Sequence, residues 1–574
     1  MSRSVGAMHV ATITRRHGDR VYESQLIRRS VREGKRVRHE TIANVSRLPP
    51  AALEALRRAL AGETLVSAED AFAIERSLPH GHVAAVLSAC RHLELARLLD
   101  RAPSRERALV LAMIAQRLLA PGSKLACVRA LSQSTLAHEL DVVGCDEDEL
   151  YAALDWLQER QESIERRLAR RHLGAGELAL YDLSSSYFEG RTCALAALGY
   201  SRDGRRGTLQ IVYGLLTDRA GKPVGVEVFG GATHDHQTIP AQLEKLRRRF
   251  GLAELVLVAD RGMVTRANLD ALAEADGVDW ITALKAPQVK RLARTGAFQP
   301  SLFDELNLAE ITASEYPGER LVVCRNPLVG AERARKREAL LRATEAELQP
   351  IAERVKRGTL HDAAAIGLAV GQVIKRYRVK KHFQLEIADG RFEYRRKSEQ
   401  IAEEAALDGI YVLRTSLAGE RLDSPGVVRA YKQLKQVERD FRALKGPELE
   451  IRPIHHRLEH RVRAHVFLCM LALYIEWHLR DAWRELTFAD EQPPERADPV
   501  AKATRSAAAD RKAATKKTRA GQPVHSLRGL LAELALQTRN TIRVTSSPAT
   551  FTTITKATPL QTRALELADT IAIE

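Results

Sequence analysis

The spacing of apolar positions changes several times along the chain. From His9 to Val45, in HVATITRRHGDRVYESQLIRRSVREGKRVRHETIANV, apolar and polar residues alternate, with HGD and EGK as turns. That period of two predicts a small basic sheet. From about Pro50 to about Leu173 the spacing turns helical. PPAALEALRRAL starts after a double proline, and SRERALVLAMIAQRLL and EDELYAALDWLQERQESIERRL carry Ser or acids near their starts, as helix N-termini do. A plain helical bundle and a helix-turn-helix fit these short helices equally well.

At Glu177 the pattern changes again. LALYDLSSSYF, TLQIVYGLLTD and KPVGVEVFGGA predict three strands, with Gly, Asp and Lys in the turns. A helix follows in TIPAQLEKLRRRFG, closed by Gly251. ELVLVAD is a continuous apolar strand, TRANLDALAEADG a helix and DWITALK a strand. Between Ala286 and Asp408 charge dominates: ERARKREALLRATEAELQPIAERVKRG reads as a solvated helix, and YRVKKHFQLEIADGRFEYRRK as basic strands. DGIYVLRTSL predicts a strand, VVRAYKQLKQVERDFRALKG one helix, and RVRAHVFLCMLALYIEWHLRDAW a long buried one. Its apolar run from Val466 to Trp477 is too short to span a bilayer.

Composition narrows the partners. A formal net charge of +16 and a pI near 9.6 point to a polyanion, most simply nucleic acid. Residues 1–60 hold 13 Lys/Arg against 5 Asp/Glu. The six cysteines, Cys90, Cys127, Cys145, Cys193, Cys324 and Cys469, show no C-x-x-C and no zinc-ligand spacing, so a reducing cytoplasm fits. The N-terminus lacks the apolar core of a signal peptide. Residues 495–520 carry eight Lys/Arg, three acids and many Ala without apolar period, and are expected to form a flexible basic linker.

Three carboxylates stand out. Asp182 sits in the first buried strand, and Asp260 ends ELVLVAD, where open sheets carry their chemistry. Gly262 is expected to turn the chain sharply just beyond it and to let a bulky substrate approach. Glu438 lies on a helix whose Leu434, Val437, Phe441 and Leu444 form an apolar stripe; Tyr431, Glu438 and Lys445 recur every seven residues along its edge. Singly, each acid has a structural reading: a turn or N-cap for the aspartates, an i, i+4 pair with Arg442 or Lys435 for Glu438. Together they would repel unless a cation neutralises them, and oxygen ligands without Cys or His favour magnesium or manganese. Two such ions suit phosphodiester displacement. His234, Asp235 and His236 in GGATHDHQT make a weaker cluster, because adjacent residues on an extended segment point apart. Glu189 is a weaker alternative ligand, and His455 and His456 read as structural or phosphate-contacting.

These segments resemble the DDE transposases of bacterial insertion sequences. The likeness is carried by YDLSSSYFEG, GYSRDGR, VLVADRGM, DGIYVLRTS, VERDFRALK and IRPIHHRLEHRVRAHVFLCMLAL, over about Glu177 to Trp483. The resembling branch has the signature Tyr-x2-Arg-x3-Glu-x6-Lys; Tyr431, Glu438 and Lys445 match it, while Leu434 stands where Arg is expected and Arg442 is the candidate replacement. The resemblance implies an α/β fold: an RNase H-like mixed sheet with flanking helices, interrupted by a β-rich insertion, after the N-terminal basic sheet and helical region. It implies a catalytic and metal-binding triad of Asp182, Asp260 and Glu438, two Mg2+ ions for which Mn2+ substitutes, and DNA contacts from Tyr431, Lys445, Arg442 and Arg261. Trp280 and the aromatics of YRVKKHFQ are candidates to clamp a flipped base, with core packing as the alternative for each.

The implied partners are double-stranded DNA, as terminal inverted repeats and as target, with no membrane and a homodimer or larger assembly on DNA. The implied place is the bacterial cytoplasm, at the nucleoid. The implied reaction is cleavage and strand transfer by cut and paste. A metal-dependent nuclease without strand transfer, or an inactive DNA-binding regulator, remain alternatives. The expected segments are a β-rich domain over 1–50, a helical and DNA-binding region over 51–175, a core in two parts over 176–285 and 409–490, an insertion over 286–408, a linker over 491–524 and a tail over 525–574.

Overall fold

The computed structural model describes residues 3–34, 36–63, 71–252, 254–263, 265–273, 277–297, 303–545 and 547–573. They fall into two units, Met1–Leu78 with Arg539–Thr555, and Pro79–Thr538 with Lys556–Glu574. The alternating N-terminal stretch forms three antiparallel strands, β1 (Arg3–His17), β2 (Arg20–Glu33) and β3 (Arg36–Asn44). Gly18 turns the first hairpin at φ 60°, a left-handed conformation that a side chain would strain. Helix α1 (Pro50–Leu60) follows the double proline. The helical pattern expected to continue is then broken by a strand, β4 (Phe72–Pro79). Phe72 and Ile74 are exposed there, so no single buried face set the strand apart from its surroundings in the sequence.

In the second unit come α2 (Gly81–His92), α3 (Leu95–Leu99), α4 (Arg105–Leu119), α5 (Lys124–Leu131), α6 (Leu136–Glu139), α7 (Glu147–Glu159) and α8 (Gln161–His172). The expected caps are present. Ser104 accepts the Arg107 N–H at 3.2 Å, and Asp146 and Glu149 form a reciprocal capping box at the start of α7. Helices α4 and α5 are bent 92° from one another. Helix α4 is buried from Leu109 to Leu118, which makes it a core helix of the bundle.

The central sheet begins with β5 (Leu178–Tyr187), β6 (Gln210–Thr217) and β7 (Pro223–Phe229). Helix α9 (Ile239–Glu244), prolonged by a π turn over Lys245–Arg249, leads to β8 (Leu255–Ala259), α10 (Arg266–Ala273) and β9 (Val278–Ala283). Next are α11 (Ala286–Arg294), β10 (Leu308–Ile311), β11 (Arg320–Arg325), α12 (Pro327–Lys356), α13 (Ala363–Tyr377), β12 (Phe383–Ala388), β13 (Arg391–Arg396), α14 (Ser398–Ala405) and β14 (Ile410–Thr415). Eight strands share the sheet in the order β10-β11-β14-β9-β8-β5-β6-β7. Strands β5, β6 and β7 are antiparallel neighbours, whereas β8 runs parallel to β5 and β9 parallel to β8.

The insertion is not β-rich as expected. Helix α12 alone takes 30 residues and α13 another 15, while β12 and β13 form only a two-stranded hairpin. Strands β10 and β11 join the central sheet instead of a separate one. Apolar residues of α12, α13, β12 and β13 make a small core of their own, with Leu348 and Ile366 fully buried. The charged, weakly periodic sequence hid this division between a local core and an extension of the main sheet.

The chain then forms α15 (Ser424–Lys432), α16 (Leu434–Lys445), α17 (Glu459–Ala482), α18 (Ala507–Thr515), α19 (Leu527–Ala535), β15 (Thr538–Val544), β16 (Thr550–Ile554) and α20 (Pro559–Asp569). Two helices part at Gln433 where one was expected. Helix α17 is long and apolar enough to cross a membrane by those measures alone, but 89% of its most apolar window is buried inside the fold. The expected flexible linker contains α18. Its Lys512 is buried, donating to the carbonyls of Arg484 and Ala489 at 2.8 Å each and to Glu491 at 2.7 Å. Alanine-rich sequence favours helix, and this lysine holds the helix in place. The tail supplies β15 and β16, which continue from β4 as a three-stranded sheet in the first unit.

A buried ion pair ties α8 to the sheet. Lys245 Nζ lies 3.0 Å from Glu165 and 3.1 Å from Glu227 of β7, and donates to the Val226 carbonyl at 2.8 Å. The side chains of Lys245 and Glu165 are fully buried. Removing one partner strands the other, so Lys245→Met should cost about 3–5 kcal/mol, and adding Glu165→Gln should recover part of that loss. Chemical denaturation of both variants measures it; a double variant no more stable than the single one would show that the pair is not the cause.

Candidate active site

The site is built by strand register. Strands β5 and β8 pair through Leu178↔Val256, Ala179↔Leu257, Leu180↔Val258 and Tyr181↔Ala259. One step further, Asp182 comes level with Asp260, where β8 ends. Level residues on neighbouring strands share a face, on strands roughly 5 Å apart. Both aspartates are half-buried. One Asp182 oxygen accepts the Leu183 N–H at 2.8 Å. Burial pushes the Asp182 carboxyl up to about 7; the charges of Asp260 and Glu438 add to the rise, while the Leu183 N–H and the Arg202 guanidinium oppose it.

Glu438 is exposed on α16, which packs against β5. Phe441, one turn on, meets the Tyr213 ring of β6 with centroids 5.9 Å apart. Tyr431, on α15, donates its hydroxyl to Asp260 Oδ1 at 3.2 Å. Burial, then the Asp260 carboxylate, pushes that phenol well above its usual range, against the Arg261 charge. Arg261 and Arg442 are exposed. Leu434, at the position of the signature arginine, is buried.

Among the described residues no three Asp, Glu, His or Cys side chains converge closely enough to hold an ion in this arrangement. The donor chemistry fits a hard divalent cation. Asp182, Asp260 and Glu438 offer oxygen donors whose mutual repulsion such an ion would relieve, although burial rather than that repulsion is the main cause of the raised Asp182 carboxyl.

Sequence reasoning missed the residues that hold this site's rim. The side chain of Asp203, from GYSRDGR, is 1% exposed and accepts from Lys445 Nζ at 2.9 Å, from the Tyr187 N–H at 3.0 Å and from Arg452. Lys445 is therefore held in an ion pair, and burial lowers its ammonium while Asp203 opposes the shift. Neighbouring Arg202 pairs with Asp235. The RDG turn marked a loop, but its partner Lys445 lies 242 residues away and nothing local announced it.

The weaker candidates resolve into structural roles. His234 and His236 stack on each other at 5.8 Å, and Asp235 turns to Arg202, so the three do not cluster. The chain does turn sharply beyond Asp260, with the Met263 N–H bonded to the Asp260 carbonyl at 3.0 Å, but Gly262 has no left-handed φ and a side chain there would only touch Asp235 at an ordinary 3.5 Å. Glu189 is exposed, its N–H bonded to the Ile454 carbonyl at 3.0 Å. Trp280 and Phe383 are buried, which leaves them in packing roles, and the half-buried Tyr377 donates its hydroxyl to Glu347 at 2.5 Å.

Residues 191–475 match the transposase DDE domain family, and residues 10–72 match the N-terminal domain of IS1634 family transposases. The chain belongs to the DDE transposases of insertion sequences. Asp260, Tyr431, Glu438 and Lys445 lie inside the first match, and Asp182 just before it. No curated protein matches the chain. Among solved structures, the piggyBac transposase synaptic complex with hairpin DNA aligns over 79% of this chain and 79% of its own, at 9% identity and a TM-score of 0.35, a likeness too loose to support an argument.

The Asp182 carboxyl makes a pH prediction. An unfolded aspartate loses its proton near 3.9, so from there up to about 7 the folded chain holds the extra proton, and stability falls as pH rises through that window. With metal removed by EDTA, Asp182→Asn abolishes this loss. Its melting temperature should exceed that of the wild type at about pH 8, by a margin that shrinks towards about pH 5. An equal margin at both would show that Asp182 ionises normally.

Proposed function

We propose that this chain is the transposase that binds DNA at the ends of its own insertion sequence, cleaves phosphodiester bonds there and transfers the freed ends to target DNA by cut and paste. The observation that carries this reading is the level pair Asp182 and Asp260 on parallel strands, with the Glu438 charge felt by Asp182, in a chain of the DDE transposase family. We read the run β7-β6-β5-β8-β9 as an RNase H-like core; its strand order and directions support that reading.

On this reading Asp182, Asp260 and Glu438 hold Mg2+, or Mn2+ in its place, with two ions in the site. When bound, the metal supplies charge neutralisation and activation of an attacking oxygen for in-line displacement. Asp182 would hold the cation as a carboxylate, its proton having gone to solvent. The Tyr431 hydroxyl orients the Asp260 carboxylate. Lys445, fixed by Asp203, sets a positive charge beside the scissile strand, and exposed Arg442 and Arg261 contact the DNA backbone. The basic N-terminal unit binds the terminal inverted repeats, and the net charge of +16 favours association with the duplex. Joining two ends calls for a homodimer or larger assembly on DNA, acting in the bacterial cytoplasm at the nucleoid.

The test is cleavage and joining of duplexes carrying the ends of the encoding element, with magnesium, with EDTA, and with Glu438→Gln. Loss of one metal-holding carboxylate should remove several kcal/mol of transition-state stabilisation, about a thousandfold in rate or more, while end binding persists. Cutting without joining would turn the reading to a nuclease. End binding without cutting by wild type or variant would turn it to a regulator.

A further inference from the structure

A cavity of about 380 Å³ opens between α4, the start of α5, the segment 450–458 and α17. Arg117, Lys124, Arg452, Arg457 and Arg461 line it with three histidines, against a single carboxylate, Glu450. Three of these cations are already engaged. Arg461 grips Asp155 through bonds of 3.1 and 3.0 Å, and Arg452 pairs with Asp203. Arg117 donates to the backbone oxygens of Gly122 at 3.0 Å and of Leu449 and Glu450 at 3.5 Å, with no ion pair among the described residues.

Lys124 is different. It is 4% exposed and lines the cavity, yet its ammonium has no hydrogen-bond or ion-pair partner among the described residues. Burial, then the neighbouring Arg117 charge, lower it to about 8. His465 Nδ1 is likewise buried without a partner. Burial, then the Lys124 and Arg117 charges, depress His456 to about 3, and burial pushes His465 well below its usual value, so these two imidazoles stay neutral. Lys124 is also the first residue of α5, whose positive end adds to the same field. A buried ammonium without a counter-charge is costly, and an entering anion offsets that cost.

We propose that this cavity is a phosphate site and that its occupant is a backbone phosphate of the bound DNA strand. The strand is favoured over a free anion by continuity. Arg452 lines the cavity and pairs with Asp203, the residue that also holds Lys445 at the rim of the acidic site. A strand passing the acids would meet Lys445, then Arg452, then the unpaired Lys124. The choice of occupant rests on the DNA reading of the active site; the phosphate site itself does not.

Two measurements on the full chain in EDTA test this, using Lys124→Met, which removes the charge and keeps the apolar stem. First, inorganic phosphate should raise the melting temperature of the wild type above that in chloride at equal ionic strength, and should not do so for the variant. Second, in a salt series with duplexes carrying the element ends, the slope of log K against log salt should fall by about 0.9 in the variant, the value for one lost phosphate contact. Arg457→Gln, at the exposed rim, gives a second slope measurement if Lys124→Met does not fold. Loss of both effects supports the proposal. No phosphate stabilisation and an unchanged slope overturn it. A phosphate effect lost in the variant with an unchanged slope overturns the strand as occupant and assigns the cavity to a free phosphate anion. Failure of the wild type to bind the ends would overturn the functional reading and the strand with it, while the phosphate arm still reports on the cavity.

Discussion

The parallel pairing of β5 with β8 sets two carboxylates side by side on one face of a sheet, and the surrounding structure answers that concentration of like charge. A one-residue slip of either strand would send one aspartate to the opposite face. Register must therefore be fixed firmly. The buried apolar run of β8, with all five residues inaccessible, and the buried neighbours of Asp182 on β5 fix it from both sides. Gly214 of β6 serves the same packing: a Cβ there would strike the Tyr181 ring, so glycine lets that ring lie against the strand next to Asp182.

What the sequence disclosed follows from how each element is buried. Strands β5 to β9 were legible because buried strands write continuous or alternating apolar runs, and Asp182 and Asp260 stood out as the charges those runs could not explain. Strand β4 and the pair β15 and β16 were missed because their residues are half-buried or exposed, which leaves no buried face to read. The seven-residue repeat of Tyr431, Glu438 and Lys445 suggested one continuous helical edge. The structure divides it at Gln433 and sends the ends to different partners, Tyr431 to Asp260 and Lys445 to Asp203. Periodicity gives the face of a helix, whereas the partner of a polar tip depends on residues far away in the chain.

The same limit explains why the basic residues were hardest to interpret. A net excess of positive charge says that a polyanion is welcome but not where. Many arginines here are spent on structure: Arg461 on Asp155, Arg414 on Glu319, Arg396 on Glu338 and Glu345. Such pairs contribute little to attracting DNA, because each cation's field is cancelled at short range by its acid. The cations that matter for a polyanion are those the fold leaves without a carboxylate.

That distinction separates Lys445 from Lys124. Lys445 has its counter-charge in Asp203 and is fixed in place by it. Lys124 has none among the described residues, and its burial beside Arg117 keeps it poised to gain most when an anion arrives. A surface lysine would be solvated and nearly indifferent to such a partner. On the proposed reading, DNA held against three carboxylates would meet repulsion at the point of chemistry, which binding nearby would offset. A buried cation with no ion pair among the described residues, such as Lys124, would supply such binding with its field little screened.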